Sequence, residues 1–238
     1  AAEKLIRVFA EQIFHTGFIH ADPHPGNVLV RRGPDGKAQL VLLDHGLYEV
    51  LSERDRGALC QLWRAIVLRD DEGMRQRSAE LGVQDYFLFC EILLQRPLWG
   101  GAWGPPPRGG ERGYMQAMAA QRFPQILGVL RALPPPMLLV FRNINTVRSI
   151  NAAMGAPADR HLLMARSAVR GWSRLRGGSP GLGGAIGRWI RGTWEGLKFE
   201  VALRLGSLSL QLTASLLRLL ASWGLLPHDP ELYDSLRA

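Results

Sequence analysis

The chain has 238 residues, of which 47% are hydrophobic and 21% are charged, and its formal net charge is +8. This balance excludes wholesale disorder. The length is sufficient for one large domain or two small ones with a substantial core.

The positive charge is concentrated towards the end of the chain. Between Arg160 and Arg218 there are ten basic residues and two acidic ones, so the remainder is close to neutral. An excess of this kind indicates an anionic partner. No aromatic-glycine RNA-binding pattern and no zinc-finger spacing accompany it, so we do not expect a nucleic-acid partner. We expect instead that residues 157–226 contact an anionic membrane surface.

The cysteines and three of the histidines carry no signal of chemistry. Cys60 and Cys90 lie in apolar helical patterns without the spacing of a metal site, and are predicted to be buried thiols. His15, His161 and His228 have no companion residues that would suggest a site, and we expect them on the surface.

In chain order, the first predicted element is a helix over residues 3–16, which ends at Gly17 as a natural C-terminal cap. Two short strands are predicted next, at residues 27–30 and 39–43. The residues between them are rich in turn formers, so the two strands are predicted to form a β-hairpin.

The hairpin permits a prediction about two polar residues. If its turn is centred on Asp35 and Gly36, Asn27 lies directly opposite Asp44, and directly opposed residues project to the same face. Pro34 also permits a longer loop, and a shift of one residue would weaken this opposition.

From Ser52 onward the pattern is helical, and Ser52 begins a capping box. Glycine and proline interrupt the pattern twice, at residues 96–113, which are predicted to form a mobile loop, and at residues 177–184, which are predicted to form a flexible linker. The helices predicted after Ser52 cover residues 52–67, 71–81, 84–95, 114–133, 137–154, 159–176 and 186–226.

These patterns divide the chain into a body, residues 1–156, a basic helix, residues 157–176, and an amphipathic helical extension, residues 185–238, beyond the linker. Within the extension the longest uncharged run is residues 205–217. Spanning a bilayer takes about 20 apolar residues. A helix that lies on a membrane or packs on the body is therefore favoured over one that spans.

The polar stretch HADPHPGN at residues 20–27, followed by DHG at residues 44–46, indicates phosphoryl transfer. That chemistry needs a carboxylate to orient or deprotonate the attacking oxygen, and oxygen ligands to hold Mg²⁺. Asp22 suits the first task because neighbouring prolines stiffen its loop. Asn27 and Asp44 suit the second because Mg²⁺ prefers hard oxygen ligands.

Two further features belong to this stretch. Gly46 is expected to let the chain leave Asp44 at dihedral angles that other residues resist. His20, Asp22 and His24 form an HxDxH pattern that could instead hold a transition metal, in which case Asn27 and Asp44 would be incidental. For His24 alone, a structural hydrogen bond is favoured over catalysis.

HxDx₄N followed by DxG matches the catalytic and metal loops of the protein-kinase-like superfamily. With the Pro-His-Pro-Gly insert, the stretch resembles the UbiB family of atypical kinases, also called ADCK or aarF-domain-containing kinases. The resemblance covers most of the chain, and residues 17–46 and 142–148 are most similar to one human paralogue. It implies that Asp22 is the catalytic base or substrate-orienting residue and that His20 supports its loop.

The same resemblance implies ATP and Mg²⁺ as cofactors, with Asn27 and Asp44 as metal ligands and Gly46 beside the nucleotide. The implied fold is a protein-kinase-like C-lobe, mainly α with a small β-hairpin, followed by C-terminal helices. We expect the chain to be a fragment that lacks the N-terminal lobe, because no KxGQ motif is present, and to be inactive alone. The implied setting is a mitochondrial membrane, with a link to lipid or coenzyme Q homeostasis.

Two departures from ordinary protein kinases leave alternatives open. Ala21 stands where those kinases have arginine, and His45 stands where phenylalanine is usual. The alternatives are an ATP-binding scaffold without catalysis and a small-molecule phosphotransferase, since aminoglycoside and choline kinases share a similar pattern. The sequence is compatible with a homo- or hetero-oligomer.

Overall fold

The computed structural model describes residues 1–98, 110–176, 196–202 and 204. Most of these residues are helical, and the strands form two short antiparallel pairs, which confirms the predicted fold class. The helices are α1 (Ala2–Glu11), α2 (Glu53–Leu68), α3 (Asp71–Glu80), α4 (Tyr86–Leu94), α5 (Gly110–Ala132), α6 (Pro135–Ala153) and α7 (Arg160–Arg176), and the strands are β1 (Phe18–His20), β2 (Val28–Arg32), β3 (Ala38–Leu42) and β4 (Tyr48–Val50).

The centre of the core lies where α1, α2 and α7 pack together. Phe14, in a π-helical turn that continues α1, meets Trp63 of α2 edge to face, with ring centroids 6.1 Å apart. Gly171 lets α7 approach closely, because a Cβ at this position would lie 2.9 Å from the carbonyl carbon of Phe14. The predicted basic helix, residues 157–176, is thus part of the same core as the body.

The structure corrects the predicted start of α5 and confirms the predicted cap at Ser52. Residues 99–109 of the predicted loop, residues 96–113, lie outside the described residues, and α5 begins at Gly110, inside the predicted loop. Inside α5 the chain kinks at Arg122, whose φ of −125° is not helical, just before Pro124. Proline lacks the N–H that a helix interior uses and clashes with the preceding turn. Ser52 caps α2 as predicted, accepting a hydrogen bond from the N–H of Asp55 at 3.1 Å.

The predicted linker, residues 177–184, and most of the predicted extension, residues 185–238, lie outside the described residues. The described part, residues 196–202, is helical and contacts α7 through an ion pair between Glu200 and Arg166. Among the described residues, none of the helices has the length and hydrophobicity that a membrane span requires.

The β2–β3 hairpin closes through a five-residue loop, residues 33–37, rather than the predicted two-residue turn. The N–H of Gly33 donates to the carbonyl oxygen of Lys37 at 2.7 Å, and the N–H of Gly36 donates to that of Gly33 at 3.0 Å. Gly36 has a φ of +73°, which glycine adopts without strain. The longer loop moves the strand register by one residue from the predicted one.

Of the histidines expected on the surface, one is buried and the side chain of a second is nearly covered. His161 is 2% exposed and the side chain of His15 is 4% exposed, whereas His228 lies outside the described residues. His161 donates through Nε2 to the carbonyl oxygen of Leu94 at 2.8 Å. Burial, together with the adjacent Arg160 cation, lowers the pKa of His161 well below its ordinary value, so the ring is neutral inside the fold.

Both cysteines are free and buried, as predicted. Burial raises the pKa of Cys60 and that of Cys90 to about 12. A thiol with so high a pKa carries almost no thiolate at neutral pH, so neither side chain has the character of a nucleophile.

Candidate active site

His20 is 1% exposed and holds the loop that carries Asp22 in place. The carbonyl oxygen of Leu43 can only accept, so the Nε2 atom of His20, 3.2 Å away, carries the proton and donates. The Nδ1 atom accepts from the N–H of Asp22 at 3.1 Å. Both ring nitrogens are therefore occupied by backbone groups, and neither is left to bind a metal ion.

The alternative of a transition-metal site at His20, Asp22 and His24 finds no support in this geometry. Across the described stretches, no group of three or more His, Cys, Asp or Glu side chains is placed to hold a metal ion. His24 is exposed, and its Nδ1 atom accepts from the N–H of Gly26 at 3.1 Å. It thus has the structural hydrogen bond that the sequence favoured.

Asp22 and Asn27 are brought together by a short 3₁₀ turn, Pro25–Asn27, that follows His24. The Nδ2 atom of Asn27 donates to the carbonyl oxygen of Asp22 at 3.2 Å and lies 3.5 Å from its carboxylate Oδ2. The side-chain oxygen of Asn27 accepts no hydrogen bond from any described residue. One amide therefore holds Asp22 and keeps an oxygen free for a ligand.

Asp44 is not directly opposite Asn27, which corrects the predicted register. Val28 pairs with Leu42, and the N–H of Leu43 donates to the carbonyl oxygen of Asn27 at 2.8 Å. Asp44 is thus one residue beyond the position opposite Asn27. Asp44 is exposed, and its carboxylate makes no hydrogen bond or ion pair with any described residue.

The unusual backbone lies at Asp44 itself and not at Gly46, contrary to the prediction. Asp44 has a φ of +56°, in the left-handed region, which aspartate tolerates better than most residues. Gly46 has no positive φ. A Cβ at position 46 would lie 3.3 Å from the Oδ1 atom of Asp44, so glycine leaves room for that carboxylate.

His45 is held by hydrogen bonds. Its Nε2 atom donates to the carbonyl oxygen of Leu42 at 3.0 Å, and its Nδ1 atom lies 2.7 Å from the hydroxyl of Tyr48, which donates to it. The Tyr48 ring in turn stacks on Phe18 at 4.3 Å and meets the edge of His20 at 5.1 Å. These contacts link the Asp22 loop to the Asp44 loop.

Two residues of α6 complete the site, and no role was predicted for either of them. The Nη2 atom of Arg142 lies 3.0 Å from the Oδ1 atom of Asp22. Asn143 is fully buried and donates through Nδ2 to the carbonyl oxygen of His20 at 3.1 Å. Their only signal in the sequence was membership of residues 142–148, the second stretch that resembled a known family.

Comparison with known proteins shows which family the chain resembles. Residues 1–78 match the ABC1 atypical kinase-like domain. Residues 1–78 thus resemble an ABC1 atypical kinase-like domain, and the chain is similar to kinases that carry the AarF name. This confirms the predicted resemblance to the UbiB or ADCK kinases. No solved structure matches the chain.

Several ABC1 family relatives are similar over most of this chain. AarF domain-containing protein kinase 1 of Mus musculus is 39% identical over 171 residues, which are 69% of this chain and 33% of the relative. The probable serine/threonine-protein kinase abkD of Dictyostelium discoideum is 36% identical over 207 residues, which are 85% of this chain and 29% of the relative. The chain spans about a third of the length of these relatives.

The ABC1 match and the observed site overlap only in part. Residues 1–78 contain Asp22, Asn27 and Asp44, whereas Arg142 lies beyond them. The helix that supplies a cation to Asp22 therefore comes from outside the matched domain segment.

Proposed function

We propose that this chain forms the metal-binding and acceptor-activating part of an atypical kinase or ATPase that uses ATP and Mg²⁺. The observation that carries the proposal is the contact between Asp22 and Asn27 on a loop held by buried His20. Across the hairpin, Asp44 adds an exposed carboxylate that has no partner among the described residues.

The donor set fits Mg²⁺. The free amide oxygen of Asn27 and the free carboxylate of Asp44 are hard oxygen ligands, and Mg²⁺ is commonly bound by one or two protein oxygens together with water and substrate phosphates. Asn27 and Asp44 would hold the ion, while Gly46 leaves room for the Asp44 carboxylate. When bound, Mg²⁺ would neutralise charge on the nucleotide phosphates.

Asp22 would act on the acceptor. Its side chain is 44% exposed, so an attacking hydroxyl or water can reach it. Asn27 orients its carboxylate, which can then accept the proton of the attacking oxygen. One relative is named a probable serine/threonine-protein kinase, which favours a hydroxyl acceptor.

The test is nucleotide binding by the full-length protein that contains this chain, with Mg²⁺ or with EDTA. We expect Mg²⁺ to tighten ATP binding. Asp44→Asn should weaken the Mg²⁺-dependent part by at least about 10-fold, because a charged ligand is lost and even the loss of an outer-shell partner lowers metal affinity by about 10- to 100-fold. Binding in EDTA should be unchanged by the substitution. Equal binding of Mg-ATP by wild type and Asp44→Asn would contradict the proposal.

We also propose, from the family resemblance, that the full-length protein acts at a mitochondrial membrane, with a link to lipid or coenzyme Q homeostasis. The proposed membrane contact is supported by three exposed arginines of α7, Arg170, Arg174 and Arg176. Vesicles with anionic lipid should recruit the full-length protein, and raised salt should release it. Equal binding to neutral vesicles would count against this role.

A further inference from the structure

We propose that Arg142 is a positioning residue that holds Asp22 in its reactive orientation; the inference rests on the function proposed above. Its Nη2 atom lies 3.0 Å from the Oδ1 atom of Asp22, although the two residues are 120 positions apart in sequence. No other cation forms an ion pair with Asp22 among the described residues.

The two oxygens of the Asp22 carboxylate have different partners. Arg142 contacts Oδ1 at 3.0 Å, and the Nδ2 atom of Asn27 lies 3.5 Å from Oδ2. A carboxylate held at one oxygen can still rotate about its Cβ–Cγ bond. With a partner at each oxygen, that rotation breaks a contact in either direction, so the plane of the carboxylate is held.

The position of Arg142 is itself held by its neighbour on α6. Asn143 is fully buried, and its Nδ2 atom donates to the carbonyl oxygens of His20 at 3.1 Å and of Leu139 at 2.8 Å. One bond ties the side chain to its own helix and the other ties it to the Asp22 loop. The backbone that carries Arg142 is therefore anchored to the loop of Asp22, the residue that Arg142 contacts.

A structural role for the Arg142–Asp22 pair would be small. The two side chains are 57% and 44% exposed, and ion pairs this open to solvent contribute little to stability. A small misplacement of a catalytic group, in contrast, can lower a rate by about 100-fold. The two roles are therefore separable by experiment, because one affects the melting temperature and the other affects kcat.

The experiment measures ATP turnover by the full-length protein. We expect Arg142→Gln to lower kcat by about 10- to 100-fold with the KM for ATP within about twofold of wild type, since Asp22 is not a proposed nucleotide ligand. Arg142→Lys should recover part of the loss. The matched control is Arg7→Gln, whose Nε atom lies 3.0 Å from Oε1 of Glu3 in a pair with exposures of 52% and 58%; its kcat should equal that of wild type.

A double-mutant cycle identifies Asp22 as the group through which Arg142 acts. In an Asp22→Asn background, adding Arg142→Gln should change the residual kcat by less than about twofold. An equal loss in both backgrounds, a rise in turnover, or a melting temperature lowered far more than in Arg7→Gln would overturn the inference. If Asp44→Asn weakens Mg-ATP binding while Arg142→Gln leaves kcat unchanged, only the inference about Arg142 fails.

Discussion

Asp22→Asn in the full-length protein should lower kcat for ATP turnover by about 100- to 10,000-fold, the range typical of a lost general base. The asparagine side chain has nearly the same shape and can keep a contact with Arg142, but it cannot accept a proton from the attacking oxygen. Because Asp22 is not a proposed metal ligand, the affinity for Mg-ATP should stay near that of wild type. Steady-state kinetics and equilibrium binding measure the two quantities separately.

The control for this substitution is Asp35→Asn in the loop of the same hairpin. The Oδ1 atom of Asp35 accepts a local hydrogen bond from the N–H of Lys37 at 3.0 Å and does not contact Asp22. Turnover by this control should be close to that of wild type. Wild-type turnover by Asp22→Asn would refute the catalytic role. Full cellular function of Asp22→Asn despite lost turnover would favour the scaffold alternative.

Gly171→Ala should lower the free energy of unfolding by at least about 2 kcal/mol, because the added Cβ would overlap the backbone carbonyl of Phe14. The helix cannot retreat without opening the contact of α7 with α1 and α2. This cost exceeds the gain of about 1 kcal/mol that alanine brings to a helix interior. Urea unfolding followed by circular dichroism measures the difference.

Gly128→Ala provides the matched control for this prediction. Gly128 lies inside α5, and a Cβ there would meet nothing within 4 Å. The same substitution should therefore stabilise the protein by about 0.5–1 kcal/mol through helix propensity alone. Similar effects of the two substitutions would show that Gly171 is not needed for the close approach of α7.

Contacts between residues close together in the sequence depend least on the rest of the fold. Asp22 and Asn27 are five positions apart in a loop stiffened by prolines, and the structure places their side chains in contact. The cap at Ser52 was equally predictable, because it depends on the three residues that follow it. In both cases the local chain determines the geometry, with little help from the rest of the fold.

The predicted opposition of Asn27 and Asp44 was wrong by one residue, because it depends on the length of one loop. Side chains alternate between the two faces of a strand, so a register error of one residue changes which residues are opposed. The hydrogen bond from Gly33 to Lys37 closes a loop longer than two residues. Composition showed that a turn was present but not where its hydrogen bonds form.

The sequence by itself determined the resemblance to the UbiB or ADCK kinases, the mainly helical fold class and the cap at Ser52. Only the tertiary structure decided that Arg142 pairs with Asp22, that His161 is buried, and that α7 belongs to the core. Helical spacing shows which residues share a face, but not which other element that face will contact. The contact between Asp22 and Asn27 thus forms within residues 20–27, while the cation beside Asp22 depends on how α6 packs against β1.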